Sequence, residues 1–277
     1  MSELTVIDNS IISIGGSLVQ VVPSTPIDPY NPLGLPPYTL RLLYREGITP
    51  TFEKGTAVQV SSTPNVWDLT YENTNWTRIL RNHTNLLEVL GANSTGVTDL
   101  YGVFDGCDRL ERVALFDTSL VVGCEHLFSN CSNLEEVPLF DLSSCVTLEE
   151  TFRGCASIKT IPNFNTSKVT NMVSAFEGCT SLRTVPLFDL SNNTGLAYTF
   201  DNCRMLQEIP LFDTSKVDSM GYAFNECRSV KTGALALYQQ ASTQQNPPVV
   251  YSYAFFNCGI NTTTGSAELA QIPSSWK

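Results

Sequence analysis

Residues 152–179 read Phe152-Arg-Gly-Cys-Ala-Ser-Ile-Lys-Thr-Ile-Pro-Asn-Phe-Asn-Thr-Ser-Lys-Val-Thr-Asn-Met-Val-Ser-Ala-Phe-Glu-Gly-Cys179, and the tetrad that opens the stretch also closes it. Outward from there it returns as Phe104-Asp-Gly-Cys107, Phe128-Ser-Asn-Cys131, Phe200-Asp-Asn-Cys203 and Phe224-Asn-Glu-Cys227, every 24 residues without a slip. Three places after each Cys comes an aliphatic residue (Leu110, Leu134, Ile158, Leu182, Leu206, Val230), and three further on comes Val113, Val137, Ile161, Val185 or Ile209. A Leu-Phe-Asp run follows, as in Leu139-Phe-Asp141, with Ser119, Ser143, Ser167, Ser191 or Ser215 two residues beyond. One period before Cys107 lies His83, with Leu80, Leu86 and Val89 in register, which marks a degenerate leading repeat. At the far end Phe255-Phe-Asn-Cys258 restates the tetrad after 31 residues, and the excess beside Ala234 to Gln240 predicts a short capping helix.

A unit of this size cannot bury its own apolar side, so neighbouring units must stack and share a core. The expected fold is a leucine-rich-repeat-like solenoid of 24-residue coils. Each coil is expected to carry a short parallel β-strand on the Leu-x-x-Val segment and about one helical turn. Pro138, Pro162, Pro186 and Pro210 lack a ladder donor and should end the strand. The spacing of four between Met172 and Phe176 places both on one helical face. The expected structural ladder in the core is Phe104, Cys107, Phe128, Cys131, Phe152, Cys155, Phe176, Cys179, Phe200, Cys203, Phe224, Cys227 and Cys258.

The pattern of residues 166–179 resembles the BspA-like leucine-rich repeats of bacterial surface proteins, over about residues 76 to 258. That family includes adhesins, host-binding proteins and phage-encoded proteins. The flanks Pro36-Pro-Tyr-Thr-Leu-Arg, Pro64 to Glu72 and the tail from Ala234 to Lys277 are similar to those of uncharacterised phage virion proteins carrying this repeat. The resemblance implies a virion protein.

Four domains are expected: a hairpin arm and Pro-rich spacer at 1–37, a β-rich cap at 38–75, the repeats at 76–232, and a capping helix with a final degenerate repeat at 233–277. The arm is read from Ile11 to Ile14 and Ser17 to Val22 flanking Gly15-Gly16, a hairpin signature. Six prolines between Pro23 and Pro37 then give an extended spacer. The segments 39–44, 55–60 and 66–71 alternate as strands able to cover the open first repeat.

Composition excludes several classes. With 16 Lys and Arg against 27 Asp and Glu, a net charge of −11, the chain has no electrostatic footprint for nucleic acid. No stretch approaches the ~18–20 apolar residues of a bilayer span, so no membrane insertion is expected. The first basic residue is Arg41, so no basic segment precedes an apolar signal core. Synthesis in the host cytoplasm without a signal peptide is the expectation. The Asn-x-Ser/Thr sequons, such as Asn75-Trp-Thr, then read as coincidence in Asn- and Thr-rich turns.

Candidate chemistry is sparse. The cysteine row reads as buried thiols acting as small hydrophobes, because side chains at equivalent positions point the same way. Cys124 and Cys145 stand where sister repeats carry Leu or Met, and Val, and read as core substitutions. Cys124-Glu-His126 lacks the further ligands zinc requires, and neither His126 nor His83 is placed as a general base. No catalytic residue, metal or cofactor is expected. The column Asp117, Asp141, Asn165, Asp189 and Asp213 reads as turn closure onto local backbone. Variable pairs such as Asp108-Arg109, Ser132-Asn133 and Glu135-Glu136 fall on a solvent face, where binding capacity would lie.

The function expected is that of a non-enzymatic phage virion surface protein, of fibre or decoration type, that adheres to bacterial surface glycan or protein. Other virion proteins would bind the N-terminal arm, and a homo-oligomer would supply avidity. The alternatives are a purely architectural virion component and a bacterial cell-surface adhesin.

Overall fold

A computed structural model describes residues 28–60, 63 and 65–277, together with the backbone of three short strands nearer the N-terminus. Those strands, β1 (Leu4–Asp8), β2 (Ile11–Ile14) and β3 (Ser17–Gln20), form an antiparallel sheet in the order β1-β2-β3. The Gly15-Gly16 connection and the first prolines of the spacer lie outside the described residues.

Alternating apolar residues build the next sheet. It contains β4 (Thr39–Tyr44), β5 (Thr56–Gln59), β6 (Val66–Thr70), β7 (Leu86–Asn93) and β8 (Arg112–Val113), in the order β5-β6-β4-β7-β8. Strand β4 is central and antiparallel to both β6 and β7, whereas β7 pairs with β8 in parallel. The inward residues Leu40, Leu42 and Tyr44 are buried with Leu69 and Leu86. The ladder breaks down to single bridges along the repeats, and proline explains why. Ala114 donates its N–H to the Val89 carbonyl at 2.8 Å, but the equivalent residue one period on is Pro138, which has no N–H to give. Beyond β8 only isolated parallel bridges remain, such as Thr160 with Thr184 and Asn171 with Gly195.

The leucine-rich-repeat-like solenoid of strand-and-helical-turn coils therefore does not form. Beyond the three-stranded N-terminal sheet, regular structure in the described residues consists of that open mixed sheet, the helices α1 (Ala234–Thr243) and α2 (Thr263–Gln271), and a 3₁₀ turn at Ser274–Trp276. The expected helical turn is replaced by tight turns, and hydrogen bonding shows the cause. Between Leu148 and Cys155, the N–H groups of Thr151, Arg153 and Cys155 bond to carbonyls three residues back. The alternate N–H groups of Glu150, Phe152 and Gly154 instead reach Val173, Ala175 and Glu177 in the next repeat. An α-helix would need all of these donors for its own ladder.

Two left-handed residues per repeat enforce the alternation. One column holds Arg78, Gly102, His126, Glu150, Ser174, Tyr198, Tyr222 and Tyr253, all with φ between 51° and 59°. The second lies four residues later and holds Asn82, Gly106, Asn130, Gly154, Gly178, Asn202, Glu226 and Asn257. This explains the third tetrad residue: Gly and Asn tolerate positive φ at least cost.

Apolar burial follows the period. Phenylalanines one repeat apart stack with ring centroids 5.2–5.7 Å apart from Phe104 through Phe128, Phe152, Phe176, Phe200 and Phe224 to Phe255. At the C-terminal end Trp276 stacks on Tyr251 at 4.5 Å, and Gln244 of the turn after α1 bonds Thr214, where earlier Thr118 and Thr166 bond carbonyls of the following repeat.

Candidate functional site

Each residue of the sequence-derived ladder, from Phe104 and Cys107 to Phe224, Cys227 and Cys258, is buried at 1% exposure or less. The thiols of Cys107, Cys131, Cys155, Cys179, Cys203 and Cys227 donate to backbone carbonyls 27 residues earlier at 3.0–3.2 Å. Burial pushes the Cys107 and Cys179 thiols up to about 12, so they carry no nucleophilic thiolate at neutral pH. These residues are frame, and the groups able to meet a partner lie elsewhere.

The aspartate column closes turns. Ser143, Ser191 and Ser215 donate their N–H groups to Asp141, Asp189 and Asp213 Oδ1 at 2.9–3.0 Å, and Asn165 accepts from Ser167 in the same way. The Ser hydrogen bonds hold the Asp141, Asp189 and Asp213 carboxyls below the usual range. Among the described residues no three His, Cys, Asp or Glu side chains converge as a metal site.

The left-handed column and the residues three beyond it form a largely half-buried face that carries the richest chemistry. At its N-terminal end is a cleft of about 540 Å³, lined by Tyr44, Glu53, Arg78, Arg81, Asn82 and His83 among others. The Tyr44 hydroxyl lies 2.6 Å from His83 Nδ1, and the imidazole stacks on Phe52 at 5.4 Å. Burial lowers the His83 pKa, opposed by nearby Glu53, so the ring is neutral at pH 7. The Arg78 guanidinium lies over the Tyr101 ring, 4.8 Å from its centroid, and Arg81 Nε is paired with Asp105 at 2.8 Å.

Further along, His126 Nδ1 sits 3.2 Å from Glu150 Oε2, and Arg153 bridges Glu150 at 3.6 Å and Glu177 at 3.3 Å. Charge then gives way to aromatic rings. Tyr198 and Tyr222 stack at 4.8 Å, and Tyr222 and Tyr253 stack at 4.9 Å. Phe256 closes this ladder edge-on to Tyr253. Tyr198 and Tyr253 are 38% and 43% exposed, and Asp201 and Asn225, joined at 2.7 Å, occupy the adjacent column. Burial pushes the Asp201 carboxyl up.

Sequence reasoning placed binding capacity on the pairs after each Cys and between the aliphatics, and missed this column. The signal was present, because each tyrosine stands two residues before its Phe (Tyr198 and Phe200, Tyr222 and Phe224, Tyr253 and Phe255).

Three overlapping stretches of the chain, 74–181, 98–203 and 123–238, match the model of a family described as Mycoplasma protein of unknown function, DUF285. The starts of the matches step by 24 and 25 residues, about one repeat each time, and together they run from 74 to 238, more than half of the 277 residues. Comparison with curated proteins and with solved structures gives no match. The tetrads, the left-handed columns and the tyrosine ladder all lie largely within the matched span, and the chain belongs to the family described as Mycoplasma protein of unknown function, DUF285.

Proposed function

We propose that the chain is a non-enzymatic component of a phage virion surface, of fibre or decoration type, and that its repeats adhere to bacterial surface glycan or protein. The observation that carries this reading is the tyrosine ladder of Tyr198, Tyr222 and Tyr253, with Tyr198 and Tyr253 exposed and Tyr222 half-buried between them. Tyrosine is a costly occupant of left-handed backbone, about 1–2 kcal/mol against glycine, and three repeats place it in a slot that the others fill with Arg78, Gly102, His126, Glu150 or Ser174. Rigid rings tipped with hydroxyls give contact area at low entropic cost to a sugar or a protein surface alike. A row of such contacts on an oligomer binds through avidity rather than through one deep pocket. The N-terminal arm holds the chain to other virion proteins in this account.

Immunogold labelling with antibody against residues 76–277, in lysates and intact cultures of the host, tests the location. Label on particles is the expected result; label confined to cell envelopes contradicts the virion reading and favours a bacterial adhesin.

One observation favours the architectural alternative. Leu139, Leu187 and Leu211 form a second exposed row in the Leu-Phe-Asp register, 55–62% exposed, which suits lateral packing in a particle. Polar substitution of these leucines should reduce particle incorporation, and substitution of the tyrosines should reduce cell binding. The reverse pattern assigns the ladder to assembly.

A further inference from the structure

Cys124 and Cys145 are the two cysteines outside the tetrads. Their slots are filled elsewhere by Leu100, Leu148, Met172, Leu196 and Met220, and by Val121, Val169, Asn193 and Val217. Both are fully buried, and their Sγ atoms lie 2.9 Å apart, closer than two unbonded sulfurs in van der Waals contact. Six tetrad thiols behave differently, because each spends its hydrogen on a carbonyl of an earlier repeat. The Cys145 thiol has its own carbonyl, Thr147 O at 3.0 Å, and its sulfur still faces Cys124.

We propose that Cys124 and Cys145 join as a disulfide once the chain leaves a reducing compartment, forming a covalent cross-link between consecutive repeats. The oxidant is a low-molecular-weight disulfide. One cysteine thiolate attacks it, forming a mixed disulfide and expelling one small thiol. The second thiolate attacks the protein sulfur of that mixed disulfide, closing the protein S–S bond and expelling the other small thiol. Two electrons pass to the external disulfide, and the two cysteine protons end on the expelled thiols. The hydrogen bond to Cys145 and burial raise the Cys124 pKa well above that of a free thiol. Exchange therefore proceeds during folding or local opening rather than through the closed core.

The test refolds the full-length chain in glutathione buffers of rising oxidised fraction, then alkylates, digests and maps it. The expected result is a cross-linked peptide pair carrying Cys124 and Cys145, with free thiols falling from nine to seven. Oxidation should raise the thermal midpoint by about 5–10 °C over the same chain in reductant. Cys145→Val and Cys124→Leu, the residues of neighbouring repeats, should keep the fold and lose both effects. If oxidative refolding aggregates the chain, the same map decides on natively purified protein incubated in the same buffers with enough denaturant to open the core locally. Free Cys124 and Cys145 after either treatment, or cross-links confined to tetrad cysteines, overturns the proposal.

Discussion

The two ends of the left-handed face are built on one frame and carry different side chains. From Arg78 to Glu177 it carries ion pairs, with Arg81 on Asp105 and Arg153 between Glu150 and Glu177; from Tyr198 to Phe256 it carries stacked rings. Beneath both, the phenylalanine spacing changes by half an ångström at most, from 5.2 to 5.7 Å. Frame and face are thus separable, and substitutions should sort by which of the two they touch.

The largest effect should come from the frame. Phe176→Ala removes a fully buried ring stacked at 5.4 Å on both Phe152 and Phe200, and should cost about 3–5 kcal/mol in denaturant unfolding. Phe224→Ala, which removes a buried ring stacked between Phe200 and Phe255 under the aromatic end, should cost a similar amount. A large difference between the two would show that the ends do not share one core.

A stabilising change is expected at Asn193. Its side-chain amide is fully buried with no hydrogen-bond partner among the described residues, in a column otherwise filled by Val121, Cys145, Val169 and Val217. Asn193→Val should raise stability by about 1–3 kcal/mol in the same assay.

The aspartate turns give a smaller, pH-dependent term. Asp141, Asp189 and Asp213 have carboxyls held below their ordinary value of 3.8, so their contribution is complete above that value and is lost as pH falls through the lower folded values. The thermal midpoint should be insensitive to these groups between pH 7 and about 5 and should fall below about 4. Replacing all three by Asn, as in the natural Asn165 turn, should flatten that fall.

The smallest effect belongs to the charged end itself. Arg153→Ala breaks ion pairs whose side chains are 25–41% exposed and should change stability by less than about 1 kcal/mol, with salt reducing the difference further.

The 24-residue period and the tetrads were legible because core positions recur with fixed spacing. The solenoid expectation failed on what lies between them. Met172 and Phe176 share a face whether the chain makes one helical turn or two tight turns, so a spacing of four did not discriminate. Gly or Asn before most of the tetrad cysteines does mark left-handed backbone. The other left-handed column carries no such mark, because Arg, His, Glu, Ser and Tyr fill it everywhere but at Gly102. Donors that alternate between local turn and next repeat leave no trace in side-chain pattern at all. The Cys124 and Cys145 pairing was hidden for a similar reason: a separation of 21 residues becomes contact only once the repeats stack.

The central claim is that the aromatic end of the face meets the bacterial surface, and cosedimentation of the purified full-length chain with host cells tests it most directly. The comparison is between the natural chain and Tyr198→Ser/Tyr222→Ser/Tyr253→Ser, which places the residue of Ser174 at all three positions. The account predicts that the natural chain sediments with cells, that Arg153→Ala binds like it, and that the triple variant loses at least about tenfold in binding while remaining folded. A folded triple variant that binds as the natural chain does, or a natural chain that does not bind host cells, would contradict it.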